Sequence, residues 1–136
     1  MKIFKVKKVF EIAYAHRLFK YNGKCENLHG HNAKIEITLQ SKNLDSQTMV
    51  KDFMQIKKIA GKWLDDNLDH ATLLHKKDPL AKILKQHNQK IFLLDKNPTA
   101  EFIALVVKDS LKRIGLNVKS VILWENSTSM AEVKEE

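Results

Sequence analysis

The feature that most constrains the fold is a stretch of alternating residues from position 29 to position 40. Two histidines and four apolar residues take every second position in it, and polar residues take most of the positions between them. Successive side chains of a β-strand point to opposite faces of the sheet, so this alternation predicts a half-buried antiparallel strand. His29 and His31 stand at its start and therefore face the same side.

A second strand is predicted over residues 3–16, where the face that carries Tyr14 ends in His16. If the two strands pair as a hairpin, the ring of His16 can reach the same point as His29 and His31. Three converging histidines without a fourth protein ligand are typical of catalytic zinc, which keeps one coordination position open. The alternative for each histidine taken singly is a hydrogen-bonded residue of the core.

Two amphipathic helices are predicted downstream, at residues 53–68 and 98–114. Asp52 begins a capping box for the first helix, and Asn97 is the predicted N-cap of the second, with Pro98 in its first turn. The other predicted elements are a short helix at 80–87, an extended piece at 90–94 and strands at 118–125 and 129–134. The order ββααββ predicts an α+β fold with a four-stranded antiparallel sheet and both helices on one face.

The composition limits the chain to one globular domain, spanning residues 1–136. Apolar residues make up 43% of the chain, which is enough for a real core. No apolar run approaches the roughly 20 residues of a membrane span, and the N-terminus has no signal-peptide core. The single cysteine excludes an internal disulfide and is typical of a reducing compartment, so we expect a cytoplasmic protein with no membrane partner.

The net charge of +8 has two interpretations. The lysines are dispersed, and the only arginines are Arg17 and Arg113, whereas nucleic-acid recognition favours arginine forks interleaved with aromatic side chains. A solvated lysine-rich surface is therefore the first interpretation, and attraction of an anionic small molecule is the second. A basic nucleic-acid-binding module is disfavoured on the same ground.

Chemically useful side chains occur in three further places. Cys25 lies in the long connection between the predicted strands, where Arg17 and nearby lysines favour the thiolate; it is otherwise a fourth zinc ligand or an inert thiol. Asp69 precedes His70, and a carboxylate can orient a histidine ring, although such pairs are often ordinary helix-end residues. Glu125 is an acid on an apolar strand, so it needs a partner: another side chain, or a ligand with two parallel N–H donors.

Five short motifs occur in order along the chain. They are Ala15-His16-Arg17-Leu18, Cys25-Glu26-Asn27-Leu28-His29-Gly30-His31-Asn32, Asp69-His70-Ala71-Thr72-Leu73, Asn97-Pro98-Thr99-Ala100-Glu101 and Trp124-Glu125. A chain with this set resembles the 6-pyruvoyl-tetrahydropterin synthase and 6-carboxytetrahydropterin synthase family. The resemblance implies the tunnelling fold, in which three subunits join their sheets into a twelve-stranded barrel and two trimers stack into a homohexamer. It also implies active sites between subunits and a small-molecule substrate, 7,8-dihydroneopterin triphosphate.

The resemblance assigns a role to each motif residue. Zn²⁺ would be bound by His16, His29 and His31. Cys25 would be the general base, in a relay with Asp69 and His70. The substrate would be bound by Glu125, which anchors the pterin ring, with help from Thr99, Glu101, Glu26 and Arg17.

The short spacing between Cys25 and His29 is similar to that of bacterial 6-carboxytetrahydropterin synthases, which implies a lyase that releases triphosphate and acetaldehyde on the way to queuosine. The pyruvoyl product is the alternative. The motif that runs from Glu26 to His31 resembles that of a folate-type variant, which forms 6-hydroxymethyldihydropterin. A structural zinc protein, closed by Cys25, is the remaining reading. Two positions depart from the family pattern: Ala33 replaces a frequent aromatic, and Phe102 replaces a frequent asparagine.

Overall fold

A mixed six-stranded sheet and three α-helices form the fold in a computed structural model that describes residues 1–136. The strands are β1 (Phe4–His16), β2 (His29–Ser41), β3 (Ala71–His75), β4 (Ile91–Leu94), β5 (Val118–Asn126) and β6 (Ser129–Lys134). The helices are α1 (Phe53–Asn67), α2 (Leu80–Gln86) and α3 (Ala100–Arg113), and a 3₁₀ turn spans Lys24–Glu26. The strand order in the sheet is β4-β3-β1-β2-β5-β6.

The predicted four-stranded antiparallel sheet consists of β1, β2, β5 and β6. Strands β1 and β2 pair along their whole length, from Phe4 opposite Ser41 to His16 opposite His29. Strand β5 pairs with β2 and β6 pairs with β5, both antiparallel. The predicted α+β class and the hairpin are therefore confirmed.

The sheet is larger than the sequence predicted. Strands β3 and β4 extend it beyond β1 and pair in parallel, β3 with β1 and β4 with β3. Strand β3 was not predicted at all, because five residues are too few to show a clear alternation. Parallel partners also lie far apart in sequence, so no local signal marks them. Helix α2 is the short third helix.

The two long helices pack on one face of the sheet, as predicted. Helix α1 buries Ile56, Ala60 and Leu64, which are spaced four residues apart, and Asp52 caps it by accepting a hydrogen bond from the Met54 amide. Helix α3 begins later than predicted, because Thr99 rather than Asn97 is its N-cap. The buried faces of α1, α3, β1, β2 and β5 form one core, to which β3 and β4 also contribute.

The opposite face of the sheet carries most of the charged and polar side chains of β1 and β2. Lys7 forms an ion pair with Glu36 at 2.9 Å, and the indole of Trp124 donates to the same carboxylate at 2.6 Å. The helix-side face of β1 and β2 is instead mostly apolar, with Lys8 as the exception, and histidines replace the aliphatic residues at the strand ends. The fold thus places these histidines at the rim of the core. No helix of the chain is long and apolar enough to cross a membrane.

Candidate active site and metal centre

The three predicted histidines meet at the end of the β1–β2 hairpin. His16 pairs directly with His29, and His31 lies two residues along β2 on the same face. The Nε2 atom of His16 is 3.1 Å from the Nε2 atoms of both His29 and His31. The three rings therefore direct one nitrogen each toward a common point, as the hairpin hypothesis required.

Two of these rings are oriented by main-chain carbonyl groups. Nδ1 of His16 lies 2.7 Å from the carbonyl oxygen of Pro98, and Nδ1 of His29 lies 2.8 Å from that of Asn27. A carbonyl can only accept, so Nδ1 carries the proton and Nε2 presents its lone pair to the centre. Burial lowers the pKa of His16, which favours the neutral ring that binds metals.

The donor set fits zinc. Two nitrogens held about 2.0–2.1 Å from a tetrahedral zinc ion lie roughly 3.4 Å apart. The two measured Nε2 separations of 3.1 Å are close to that value. Neutral imidazoles with hydrogen-bonded Nδ1 atoms are also the usual form of a zinc-binding histidine. His16, His29 and His31 are therefore the residues that could hold the ion.

Glu125 lies at the same centre. Its Oε2 atom is 3.6 Å from Nε2 of His16 and 3.7 Å from Nε2 of His31, and its side chain is 23% exposed. The sequence left open whether this acid pairs with a side chain or with a ligand, and the structure places it against the histidines. One carboxylate oxygen thus sits within a short movement of any ion bound there.

Tyr14 is a site residue to which sequence reasoning gave no function. It is only 4% exposed, and its ring lies edge-on to His16 with the centroids 5.3 Å apart. Its hydroxyl is buried without a hydrogen-bond partner. Burial and the nearby Glu125 carboxylate raise the pKa of Tyr14, so it stays protonated. The available signal was a tyrosine on a predicted core face, two residues before His16. Ala33, where the resemblance leads one to expect an aromatic residue, is buried on the same face.

Asp69 and His70 form the predicted pair, in the turn between α1 and β3. Asp69 accepts a hydrogen bond from the Ala13 amide at 2.9 Å, and its other oxygen is 3.0 Å from Nδ1 of His70. Burial acts to raise the pKa of Asp69, but the Ala13 amide and His70 outweigh it, and the pKa falls below its usual value. His70 has a left-handed backbone (φ 59°), and its side chain is 80% exposed.

Cys25 lies apart from that pair. It sits in the 3₁₀ turn and is half-buried, and its carbonyl accepts a hydrogen bond from the Leu18 amide. Its thiol is hydrogen-bonded to neither Asp69 nor His70. Glu26, beside it, is exposed. Within one chain, Cys25 is therefore not connected to the Asp69–His70 pair.

Arg17 has a different partner from the predicted substrate. Its guanidinium donates two hydrogen bonds to Asp78, from Nε at 2.8 Å and from Nη2 at 2.6 Å. Asp78 is 2% exposed, and the hydrogen bonds from Arg17 lower its pKa. The pair ties the end of β1 to the turn before α2. Nothing in the sequence around Asp78 marked it as this partner.

The segment before α3 also supports the site. Thr99, predicted to help bind the pterin, uses its hydroxyl to cap α3 by accepting from the Phe102 amide at 3.1 Å. Glu101 is exposed in the first turn. Asn97 binds both the N–H and the carbonyl of Phe19, at 2.8 and 2.9 Å. The same segment therefore contacts the Cys25 loop (residues 17–28) through Asn97 and orients the ring of His16 through Pro98.

The α+β fold and the three-histidine cluster agree with the resemblance to the tunnelling-fold pterin enzymes. A solved 6-pyruvoyl tetrahydropterin synthase of Caenorhabditis elegans has this fold, with a TM-score of 0.76 and 26% identity over 100% of this chain and 98% of that one. A family model described as 6-pyruvoyl tetrahydropterin synthase matches residues 5–136. The chain therefore belongs to the 6-pyruvoyl tetrahydropterin synthase family and is an enzyme of the tetrahydropterin synthase type.

Curated relatives carry a narrower name. A 6-carboxy-5,6,7,8-tetrahydropterin synthase of Rickettsia bellii is 42% identical over 103 residues, covering 74% of this chain and 75% of the relative. The protein of the same name from Haemophilus influenzae is 35% identical over 141 residues, covering 98% of this chain and 100% of the relative. The similarity thus extends over nearly the whole chain.

Proposed function

We propose that the chain is a zinc-dependent lyase that converts 7,8-dihydroneopterin triphosphate to 6-carboxy-5,6,7,8-tetrahydropterin, with release of triphosphate and acetaldehyde. The observation that carries the proposal is the convergence of three histidine Nε2 atoms, two of them on rings oriented by main-chain carbonyls. The names of the relatives support the carboxy product. Queuosine formation in the cytoplasm is the proposed setting.

The residues have distinct proposed roles. His16, His29 and His31 would hold zinc, which when bound supplies a Lewis acid that makes the side-chain hydroxyls of the substrate more acidic. The Cys25 thiolate would take a proton from one side of that side chain, and His70, oriented by Asp69, would serve the other side. Glu125 would accept hydrogen bonds from the parallel N–H donors of the pterin ring.

We further propose that the working site forms between subunits of a homohexamer built from two trimers. Two observations support this: His70 is exposed, and Cys25 is not connected to Asp69 or His70. Proton transfer is more efficient where water is excluded, which a neighbouring subunit would achieve around His70. The lysine-rich surface would assist capture of the anionic triphosphate, with Lys20 and Lys24 of the Cys25 loop as the nearest cations, since Arg17 is engaged by Asp78.

Mass spectrometry of the product tests the proposal. Purified zinc-loaded protein is incubated with 7,8-dihydroneopterin triphosphate, and we expect 6-carboxytetrahydropterin together with free triphosphate and acetaldehyde. A protein that releases no triphosphate would overturn the lyase assignment. The 6-pyruvoyl product is the second candidate, which the description of the matching family model favours. A hydroxymethyl product would point instead to Glu26 as the catalytic group.

A further inference from the structure

The Tyr14 hydroxyl is the one buried side-chain polar atom in the chain without a hydrogen-bond partner. Buried polar groups are nearly always paired, because a buried donor without a partner has lost its hydrogen bond to water and gained none in exchange. The residue is 4% exposed, so water does not solvate it freely. The Tyr14 hydroxyl is therefore free to donate a hydrogen bond to a nearby acceptor that changes its position.

Tyr14 and Glu125 share their neighbours, because the ring of one and the carboxylate of the other both lie against His16 and His31. Burial and the charge of Glu125 both raise the pKa of Tyr14, so the hydroxyl remains a donor. Tyr14 pairs across the hairpin with His31, and its ring is packed against both His16 and His31. The hydroxyl, the carboxylate and the histidine rings thus belong to one cluster on the core face of the sheet.

Glu125 has two uses that exclude each other. Its Oε2 atom lies 3.6 and 3.7 Å from the Nε2 atoms of His16 and His31, and a carboxylate oxygen is an ordinary zinc ligand. As a fourth protein ligand, Glu125 would close the metal centre and give it the character of a structural site. Turned away, it would leave a coordination position free and could bind a ligand instead.

We propose that Tyr14 is a positioning residue that keeps Glu125 off the metal by donating a hydrogen bond to its carboxylate. The centre then stays open for substrate, and Glu125 stays available for the N–H donors of the ring. The inference rests on the proposed metal-dependent function, but not on which pterin product forms. It also accounts for the unpaired hydroxyl, whose acceptor takes up its final position only when the centre is filled.

The variant that tests this is Tyr14→Phe, which removes only the hydroxyl oxygen. Protein is loaded with Co²⁺, whose visible spectrum reports the ligands around it, and is titrated with azide as a small anionic ligand. We expect azide to shift the spectrum of the wild type and to leave that of Tyr14→Phe unchanged. Release of Co²⁺ to a chelator should be about tenfold slower in the variant, because a fourth protein ligand has been gained.

Two further variants make the result specific. Tyr21→Phe alters the other tyrosine of the chain, which is 46% exposed, and should behave as the wild type. The double variant Tyr14→Phe with Glu125→Gln should lose the slow release, because the neutral amide is a poor zinc ligand. Slow release that persists in the double variant would overturn the proposal.

The role of Tyr14 can be tested independently of protein stability and of turnover. Tyr14→Phe breaks no hydrogen bond of the free protein, so its Tm should not fall. Unchanged azide binding and unchanged Co²⁺ release in Tyr14→Phe would overturn the proposal, whatever happens to turnover. Neither measurement uses a pterin. A wild type that binds azide as expected but leaves the pterin triphosphate intact would therefore refute the proposed reaction and not the role of Tyr14.

Discussion

The hairpin end and the Cys25 loop are both rich in reactive side chains, yet they differ in how completely one chain builds them. At the hairpin end, His16 is 3% exposed, and main-chain carbonyls hold its ring and that of His29. In the loop, Cys25 has no hydrogen-bonded contact with Asp69 or His70, and His70 is 80% exposed. The three-histidine cluster is thus preorganised within one chain, whereas the proposed proton-transfer residues Cys25, Asp69 and His70 are not brought together within it.

The largest effect should come from breaking the three-histidine cluster. In His31→Ala, two converging ring nitrogens remain, so we expect the bound zinc to be lost together with turnover. Metal content by atomic emission, measured beside triphosphate release, checks this. His87→Ala is the matched control, because that histidine is exposed and belongs to no cluster. Full zinc occupancy in His31→Ala would contradict the three-histidine assignment.

Removing the Cys25 thiol should reduce turnover without affecting zinc binding. We expect Cys25→Ala to lower kcat by about 10²- to 10⁴-fold, the usual contribution of a general base, while zinc content stays the same. Single-turnover measurements on zinc-loaded protein report the chemical step directly. Cys25→Ser serves as the conservative control and should keep the fold and the metal. Full activity in Cys25→Ala would move the base assignment to Glu26.

The anchor of the hairpin end should matter for stability more than for chemistry. Asp78→Asn removes the negative charge that accepts two hydrogen bonds from Arg17. We expect the free energy of unfolding to fall by about 2–3 kcal/mol. This is less than the cost of breaking a fully buried ion pair, because the Arg17 side chain is 29% exposed. The hydrogen bonds from Arg17 hold the pKa of Asp78 below its ordinary value. This contribution is therefore present above the ordinary pKa of an aspartate and is lost as pH falls through the folded-state pKa.

Urea unfolding as a function of pH checks that prediction. The stability difference between wild type and Asp78→Asn should be largest near neutral pH and should shrink in acid. Asp95→Asn is the control, since Asp95 pairs with Lys76 on the surface, is 79% exposed, and should cost little. A pH-independent difference would show that the ion pair is not the source of the stability.

The smallest effect should come from the link between the hairpin end and the Cys25 loop. Asn97→Ala removes two hydrogen bonds to the backbone of Phe19, which should lower stability by about 1–2 kcal/mol. Because Pro98 orients His16, we also expect zinc to leave about tenfold faster, measured by chelator competition. Asn43→Ala, at an exposed position, is the control. Unchanged release would show that the Pro98 carbonyl does not depend on Asn97.

The elements that sequence reasoning predicted are those with a local signal. Alternation marked β1 and β2, and their pairing as a hairpin brought His16 to His29 and His31. Helical spacing marked α1 and α3 in the same way. The start of α3 was missed by two residues because Asn97, Pro98 and Thr99 all suit a helix N-terminus, and only the tertiary contact of Asn97 with Phe19 decides among them.

The parts that were missed depend on contacts between distant segments. The parallel pairing of β3 and β4, the binding of Arg17 by Asp78 and the position of Glu125 against the histidines each join residues far apart in the chain. A sequence pattern reports which face a side chain takes, but not which side chain it meets there. Tyr14 shows this limit well, because its face was predicted and its unpaired hydroxyl was not.

The carbonyl groups that hold His16 and His29 have a consequence for how such a protein can diverge. Both belong to the main chain, at Pro98 and Asn27, so replacing either side chain leaves the oxygen in place. Ring orientation then follows from the path of the backbone rather than from the identity of the neighbouring residues. Descendants of this chain could exchange the side chains around the proposed substrate site without changing the orientation of the rings of His16 and His29.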